Sequence, residues 1–257
     1  MAKVAIVTGS ATGLGAACAI DLGARGWNVA INYARSKKEA EETYTKVKAQ
    51  GVDAILVQAD MGQDADCRKL AAETLKKWGR IDGLINNAGT TKFQNEGDLE
   101  GVTAEDFDRI LRVNVTGPYM MSRAIWPTMK KRWEESRERG SIVNVSSNAV
   151  ATGAGSSIPY VASKAALNTL TRSLARWLSP AVRVNAIGPG FIQTRWLLEG
   201  LGQAEYEEMK TLMEQTTPLR QAGTPEQMAE AALFFLTSAS NVTGEFLLVD
   251  AGSHLGR

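Results

Sequence analysis

Histidine and cysteine are nearly absent from this chain. Among 257 residues there is one histidine, His254, and there are two cysteines, Cys18 and Cys67. One imidazole and two scattered thiols, in no CxxC pair, cannot assemble a zinc site, so no metal is expected. The same scarcity excludes a Ser-His-Asp or Cys-His hydrolase unless His254, close to the last residue, were the base. The cysteines read as free thiols of a reducing compartment, not as a disulfide framework. Charge of one sign is not in excess either. Lys and Arg number 29 against 28 Asp and Glu, a formal net charge of +1, which argues against nucleic acid as the main partner. Long apolar runs are missing. No stretch of about 18 apolar residues could span a bilayer. Ala2-Lys3-Val4 leads directly into a strand pattern, without a signal peptide. The expectation is therefore a cytoplasmic protein with no membrane partner.

What is present is an ordinary globular composition, 44% hydrophobic and 22% charged, able to bury a large core. Short β-branched runs alternate with longer helical stretches. Strands are expected at Val4–Val7, Val29–Ile31, Ala54–Val57, Gly83–Ile85, Ser141–Val145, Val182–Ala186 and Glu245–Val249. Helices are expected over Gly13–Arg25, Ser36–Ala49, Asp64–Trp78, Ala104–Trp133, Ser157–Leu178 and Pro225–Leu236, with an irregular stretch from Phe191 to Gly223. Such alternation implies right-handed crossovers and a parallel sheet covered on both faces, an α/β fold. No linker or repeat interrupts it, so one domain over 1–257 is expected.

The first strand-to-helix turn reads Thr8-Gly9-Ser10-Ala11-Thr12-Gly13-Leu14-Gly15. Glycines at 9, 13 and 15 let the backbone approach a pyrophosphate, and the helix N-terminus offers free N–H groups and the positive dipole end. The spacing is not GxGxxG, and no Lys-Ser/Thr follows as in a P-loop. Alone, the motif favours a phosphate site but also admits a tightly packed Gly-rich turn.

Five further elements narrow the reading. TGxxxGxG at 8–15 resembles the signature of the short-chain dehydrogenase/reductase family. Asn86-Asn87-Ala88-Gly89 is similar to that family's NNAG element, and Tyr160-Val161-Ala162-Ser163-Lys164 to its YxxxK. Ser147 stands thirteen residues before the tyrosine, at the family's serine position. Asn114 matches the fourth catalytic position, and Pro189-Gly190-Phe191-Ile192-Gln193-Thr194 the PG element. The chain is most similar to the 3-oxoacyl-carrier-protein reductase-like branch. The resemblance implies a Rossmann-type doubly wound sheet of seven parallel strands in the order 3-2-1-4-5-6-7. It also implies a homotetramer, with the helices at 104–133 and 157–178 and the segment 242–250 at its interfaces.

The chemistry follows from residue types. Reducing a ketone adds a hydride to carbon and leaves charge on oxygen, so a site needs a proton donor and a hydrogen bond to that oxygen. Tyr160 and Lys164, four apart on a helix, share a face. A neighbouring ammonium is expected to lower the phenol from its ordinary pKa of about 10. Taken singly, these residues could be a solvated helix face, a strand-end hydroxyl and a turn asparagine. In family terms Lys164 also holds the nicotinamide ribose, Ser147 the substrate oxygen, and Asn114 a water relaying protons to Lys164.

The second strand ends Asn32-Tyr33-Ala34-Arg35-Ser36-Lys37-Lys38. NAD enzymes usually place an acid there for the ribose 2′-OH; Tyr33 occupies that position, and Arg35 with Ser36 suits a 2′-phosphate. NADP(H) is the expected cofactor. Thr12, where many NADP-preferring relatives carry a basic residue, leaves NAD(H) open. The resemblance assigns Gly9, Ser10, Thr12, Gly13, Leu14, Gly15, Tyr33, Arg35, Ser36, Asp60, Met61, Asn87, Ala88, Gly89, Pro189, Gly190, Ile192 and Thr194 to the cofactor, beside Tyr160 and Lys164. The apolar residues of 191–223, with Met209, Leu212 and Met213 at helical spacing, either wall the substrate or pack on the domain. They favour a small, largely apolar ketone or alcohol. The basic but mixed segment Lys130–Arg139 is a weak docking surface for an acidic carrier protein. Carrier-linked 3-oxoacyl reduction is thus the alternative, and a nucleotide sensor without catalysis is the alternative of another class.

Overall fold

The computed structural model describes residues 2–94 and 97–256. Seven strands form one parallel sheet: β1 (Val4–Val7), β2 (Asn28–Tyr33), β3 (Ala54–Gln58), β4 (Gly83–Asn86), β5 (Gly140–Val145), β6 (Val182–Pro189) and β7 (Phe246–Val249). Their order is β3-β2-β1-β4-β5-β6-β7, as expected. β1, β4 and β5 are buried along their whole length; β1 therefore reads as an unbroken apolar run and not as an alternation, while the polar residues of β4 and β5 are satisfied inside, the Asn86 amide donating to Asn144 Oδ1 at 2.9 Å and the Ser141 hydroxyl to the Phe235 carbonyl at 3.2 Å.

Helices cover both faces. α1 (Gly13–Ala24), α2 (Lys37–Lys48) and α10 (Pro225–Leu233) lie on one, where Cys18, Leu22, Val47 and Leu233 pack on Ala5, Val7, Val29 and Ile31. α3 (Asp64–Trp78), α5 (Gly117–Ser136) and α7 (Ile158–Leu178), which follows the single-turn α6 (Ala149–Thr152), lie on the other, where Leu70, Met121, Ile125 and Leu174 pack on Ile6, Ala30, Leu84 and Ile142. Ala5 and Val7 face one layer and Ile6 the other because side chains alternate along a strand. The thiols of Cys18 and Cys67 are both free and buried; burial pushes the Cys67 thiol up to about 12.

Two expectations are corrected. The helix expected over 104–133 is α4 (Ala104–Leu111), then a π-helical turn at Arg112–Thr116, then α5. The stretch expected to be irregular holds α8 (Arg195–Leu201) and α9 (Gln203–Thr216). α9 has no buried residue; a helix that lies on the surface with partly covered apolar residues gives only a weak periodic signal.

A charged cluster marks the edge of the sheet where the strands begin. The Asp82 carboxylate accepts the Val4 N–H at 2.9 Å and pairs with Arg80 at 2.7 Å and Arg132 at 3.1 Å. Arg132 also donates to the Ile81 carbonyl at 2.6 Å. The segment 130–139 therefore sits at the end of the sheet opposite the strand C-termini. Its other charges are largely taken up at home: Lys130 pairs with Glu134, Lys131 with Glu135, and Arg137 and Arg139 lie over the Trp133 ring.

Candidate active site

β3 and β4 are consecutive, yet β4 pairs with β1, so the strand order reverses between β1 and β4. Ligands of open α/β sheets bind in the crevice that opens there, beyond the strand C-termini. In this chain that crevice is a cleft of about 1530 Å³, large for a small ligand alone.

Its floor is a knot of hydrogen bonds. The Asn87 side-chain amide donates to the carbonyls of Thr8 (3.0 Å) and Gly9 (2.9 Å), and the Thr8 hydroxyl accepts the N–H groups of Asn87 and Ala88, each at 3.0 Å. Asn32 Oδ1 accepts the Gly9 N–H at 3.0 Å, and its amide donates to the Ala59 carbonyl at 3.0 Å. Gly9 needs its positive φ of 61° to make this turn. A Cβ on Gly15 would lie 2.4 Å from the Gly9 carbonyl oxygen and 2.5 Å from Asn87 Nδ2. The glycine thus lets α1 start directly against the turn. α1 opens with no acidic residue and no side-chain cap from Thr12, whereas α4 and α10 are closed by capping boxes. Its first N–H groups, which no helix can satisfy internally, suit a phosphate.

Most of the expected cofactor residues line the cleft: Gly9, Thr12, Gly13, Leu14, Tyr33, Arg35, Ser36, Asp60, Met61, Asn87, Ala88, Gly89, Pro189, Gly190, Ile192 and Thr194. Ser10 and Gly15 lie beneath it. Ser10 is fully buried, with its hydroxyl donating to the Val7 carbonyl at 2.7 Å. The Arg35 guanidinium is exposed and makes no ion pair or hydrogen bond among the described residues.

Ser147, Tyr160 and Lys164 meet at the other end of the cleft. Lys164 Nζ donates to the Val145 carbonyl at 2.8 Å and lies 5.4 Å from the centre of the Tyr160 ring. The π turn carries Asn114 into the interior behind them. Its amide nitrogen donates to the Thr90 carbonyl (2.9 Å) and Ser163 Oγ (3.0 Å), and its Oδ1 accepts the Thr90 N–H (2.8 Å). Both amide protons are thereby committed, leaving one lone pair on Oδ1.

The expected lowering of the Tyr160 pKa by Lys164 does not hold. Burial pushes the phenol up, and the hydrogen bond with Ser147 only partly offsets this. Burial also lowers the Lys164 ammonium to about 8, so it is largely neutral where the phenol titrates and exerts little pull.

Sequence reasoning passed over several residues that build the site. Asn32 is a buried amide at the end of an apolar strand, a placement that signals a structural hydrogen bond. Trp196, in contrast, is one of the apolar residues of 191–223 expected as a possible substrate wall; it reaches over the cleft, 6.3 Å from the Tyr160 ring and 5.4 Å from that of Phe93. Arg195, at the start of α8, forms an ion pair with Glu39 of α2, a contact that spacing could not reveal. Met209 and Met213 line the cleft, whereas Leu212 does not. His254 pairs with Asp250 at 2.9 Å, apart from Tyr160 and Ser147. No metal-binding group of three or more His, Cys, Asp or Glu residues exists among the described residues, nor a helix long and apolar enough to cross a membrane.

Comparison with known proteins agrees with this geometry. The family model described as Enoyl-(Acyl carrier protein) reductase matches residues 9–254. The chain is 42% identical over 254 residues to "Granaticin polyketide synthase putative ketoacyl reductase 2" of Streptomyces violaceoruber, covering 99% of this chain and 97% of the other. It is 36% identical over 261 residues to versicolorin reductase 1 of Aspergillus parasiticus, covering 98% and 96%. A solved 3-ketoacyl-(acyl-carrier-protein) reductase from Brucella melitensis, complexed with NADH, superposes with a TM-score of 0.85 at 32% identity, covering 98% of each chain. The chain belongs to the short-chain dehydrogenase/reductase family, in its 3-oxoacyl-carrier-protein reductase-like branch. It is an oxidoreductase of CH–OH and ketone groups, and the family works with nicotinamide dinucleotides.

The depressed Lys164 pKa has a consequence for stability. The folded chain without nucleotide loses this proton near pH 8 and the unfolded chain near 10.5. Between these values the unfolded state binds more protons, so Lys164 makes stability rise with pH; the penalty of its buried charge is fully present below pH 8. Above about pH 10 the raised Tyr160 pKa acts in the opposite sense. Thermal melts from about pH 7.5 to 9.5 should therefore show wild type gaining stability relative to Lys164→Met.

Proposed function

We propose that this chain uses NADP(H) to interconvert a small, largely apolar ketone and its secondary alcohol. The observation that carries the reading is the meeting of Tyr160, Ser147 and Lys164 at the apolar end of a cleft whose other end suits a dinucleotide. The nucleotide supplies the hydride. Ser147 donates a hydrogen bond to the carbonyl oxygen while Tyr160 gives it a proton, so the charge arriving with the hydride never stands uncompensated. The raised phenol pKa keeps Tyr160 protonated at neutral pH, the state that reduction requires. Lys164 has two N–H bonds beyond the one to Val145; they serve the nicotinamide ribose and the reprotonation of Tyr160. The free lone pair of Asn114 Oδ1 can accept from a water on that path. Gly13 to Gly15 and Thr194 cradle the pyrophosphate, and Asp60 and Met61 flank the adenine.

Arg35 and Ser36 hold the 2′-phosphate. What supports this is a guanidinium at the cleft edge with no protein partner and no acid at the Tyr33 position. A free substrate is favoured over a carrier-bound one because the basic segment 130–139 lies at the far edge of the sheet, with its charges largely paired internally. A homotetramer completes the reading, supported by the exposure of Ile158, Trp177 and Phe234 on the surface.

Tyr160→Phe should abolish turnover of ketones by either nucleotide while nucleotide binding, followed by fluorescence, stays near wild type. Retained turnover would refute the catalytic role. Arg35→Asp should weaken NADPH about ten- to a hundredfold, the range of a lost charge-assisted hydrogen bond, and leave NADH nearly unaffected. Higher wild-type efficiency with NADH would overturn the nucleotide assignment. Light scattering should return the mass of four chains; a clean monomer would refute the assembly.

A further inference from the structure

Trp196 is oddly placed for a packing residue. It stands between the rings of Tyr160 and Phe93, yet 43% of it is exposed, and its indole N–H meets no protein acceptor among the described residues. Its ring is tilted 41° to Tyr160 and 56° to Phe93, so neither stacks parallel on it. α8 holds it from below: the Thr194 hydroxyl caps the helix, and Arg195 ties its first turn to Glu39. The start of α8 is thereby anchored, and the partly exposed Trp196 side chain lines the cleft.

The surroundings narrow what the indole can meet. Leu197, Leu201, Met209 and Met213 complete this end of the cleft, and methionines adapt to flat aromatic partners. Free cations are not offered here. Arg109 is committed to Asp106, Thr90 and Thr91, while Arg112 lies beside Gly62, towards the dinucleotide half. A carbonyl within reach of Tyr160 and Ser147 brings the ring attached to it against an indole about one ring width away. Ring pairs favour offset or tilted contact with centroids about 4.5–7 Å apart.

We propose that the substrate is a planar ketone fused to an aromatic ring and bearing no anionic group, and that Trp196 sets this preference by presenting its indole to that ring. The proposal rests on the ketone-reductase reading above. It separates π recognition from mere apolar volume, since a saturated bicyclic ketone fills similar space without a ring quadrupole.

The test compares 2-tetralone with 2-decalone. With saturating NADPH, wild type should show a kcat/KM ratio favouring 2-tetralone by roughly three- to tenfold. Trp196→Leu should bring the ratio close to one, and Trp196→Phe should keep part of it. A ratio, unlike a rate, is insensitive to general loosening of α8. Binding of both ketones to nucleotide-loaded Tyr160→Phe, measured by calorimetry, should show the same preference without turnover. Preference in binding with no wild-type turnover of either ketone would sink the reductase reading and leave the aromatic site standing. Equal binding of the two ketones, or a ratio unchanged in Trp196→Leu, would overturn the aromatic site itself.

Discussion

The amide of Asn87 holds the two halves of the sheet at the distance on which everything above them depends. Where β1 and β4 part, backbone groups would otherwise be left facing an open seam. Asn87 satisfies the carbonyls of Thr8 and Gly9 from one side, and Thr8 returns the bond to the Asn87 and Ala88 N–H groups. Asn32 closes the same turn from β2. Buried polar groups are tolerated only when satisfied, and here the satisfaction also sets where α1 begins. A side chain at position 15 would collide with this arrangement. The phosphate-sized opening at the start of α1 is thus a by-product of how the seam is closed.

From that seam the cleft divides by chemistry. Towards β2 and β3 it is polar and open to solvent, with Arg35, Ser36 and Asp60 at its rim. Towards α7 and α8 it is apolar and aromatic, and the titratable groups are buried enough to change character. Burial raises Tyr160 and lowers Lys164, so both groups lean towards their neutral forms. A bound dinucleotide brings its own charges and hydroxyls to that pair, and with them a different balance from the one the chain has alone.

Strand positions were legible because a strand buried on both faces is largely apolar: Val4–Val7 is so throughout, and Ser141–Val145 carries the β-branched Ile142, Val143 and Val145 around the buried, hydrogen-bonded Ser141 and Asn144. Tyr160, Lys164 and the glycine turn were legible because their spacing is local. Other features depend on tertiary depth. That Lys164 loses its solvation is decided by the elements packed around it and not by its neighbours in the chain. Asn32 carried a readable sign, a polar residue ending an apolar strand, whose partners at Gly9 and Ala59 lie elsewhere. α9 showed only in the helical spacing of Met209, Leu212 and Met213, and α8 not at all, because a surface helix over a cleft is only partly amphipathic. The meeting of Trp196 with Phe93 and of Arg195 with Glu39 spans about a hundred residues or more, beyond any periodicity.

The π turn at Arg112–Thr116 works as a frameshift written in angle. A regular helix advances about 100° per residue, and the wider turn accommodates one residue more than an α-helical turn would hold. α4 and α5 therefore follow two different phases. Met121, Ile125 and Met129, spaced by four, face the core only in the second phase. Removing one residue between 112 and 116 would restore an unbroken α-helix and improve its local hydrogen bonding. It would also rotate that stripe away from the sheet and break the hydrogen bonds of Asn114 with Thr90 and Ser163. The locally imperfect helix is the one that keeps both the core and the catalytic pocket in register.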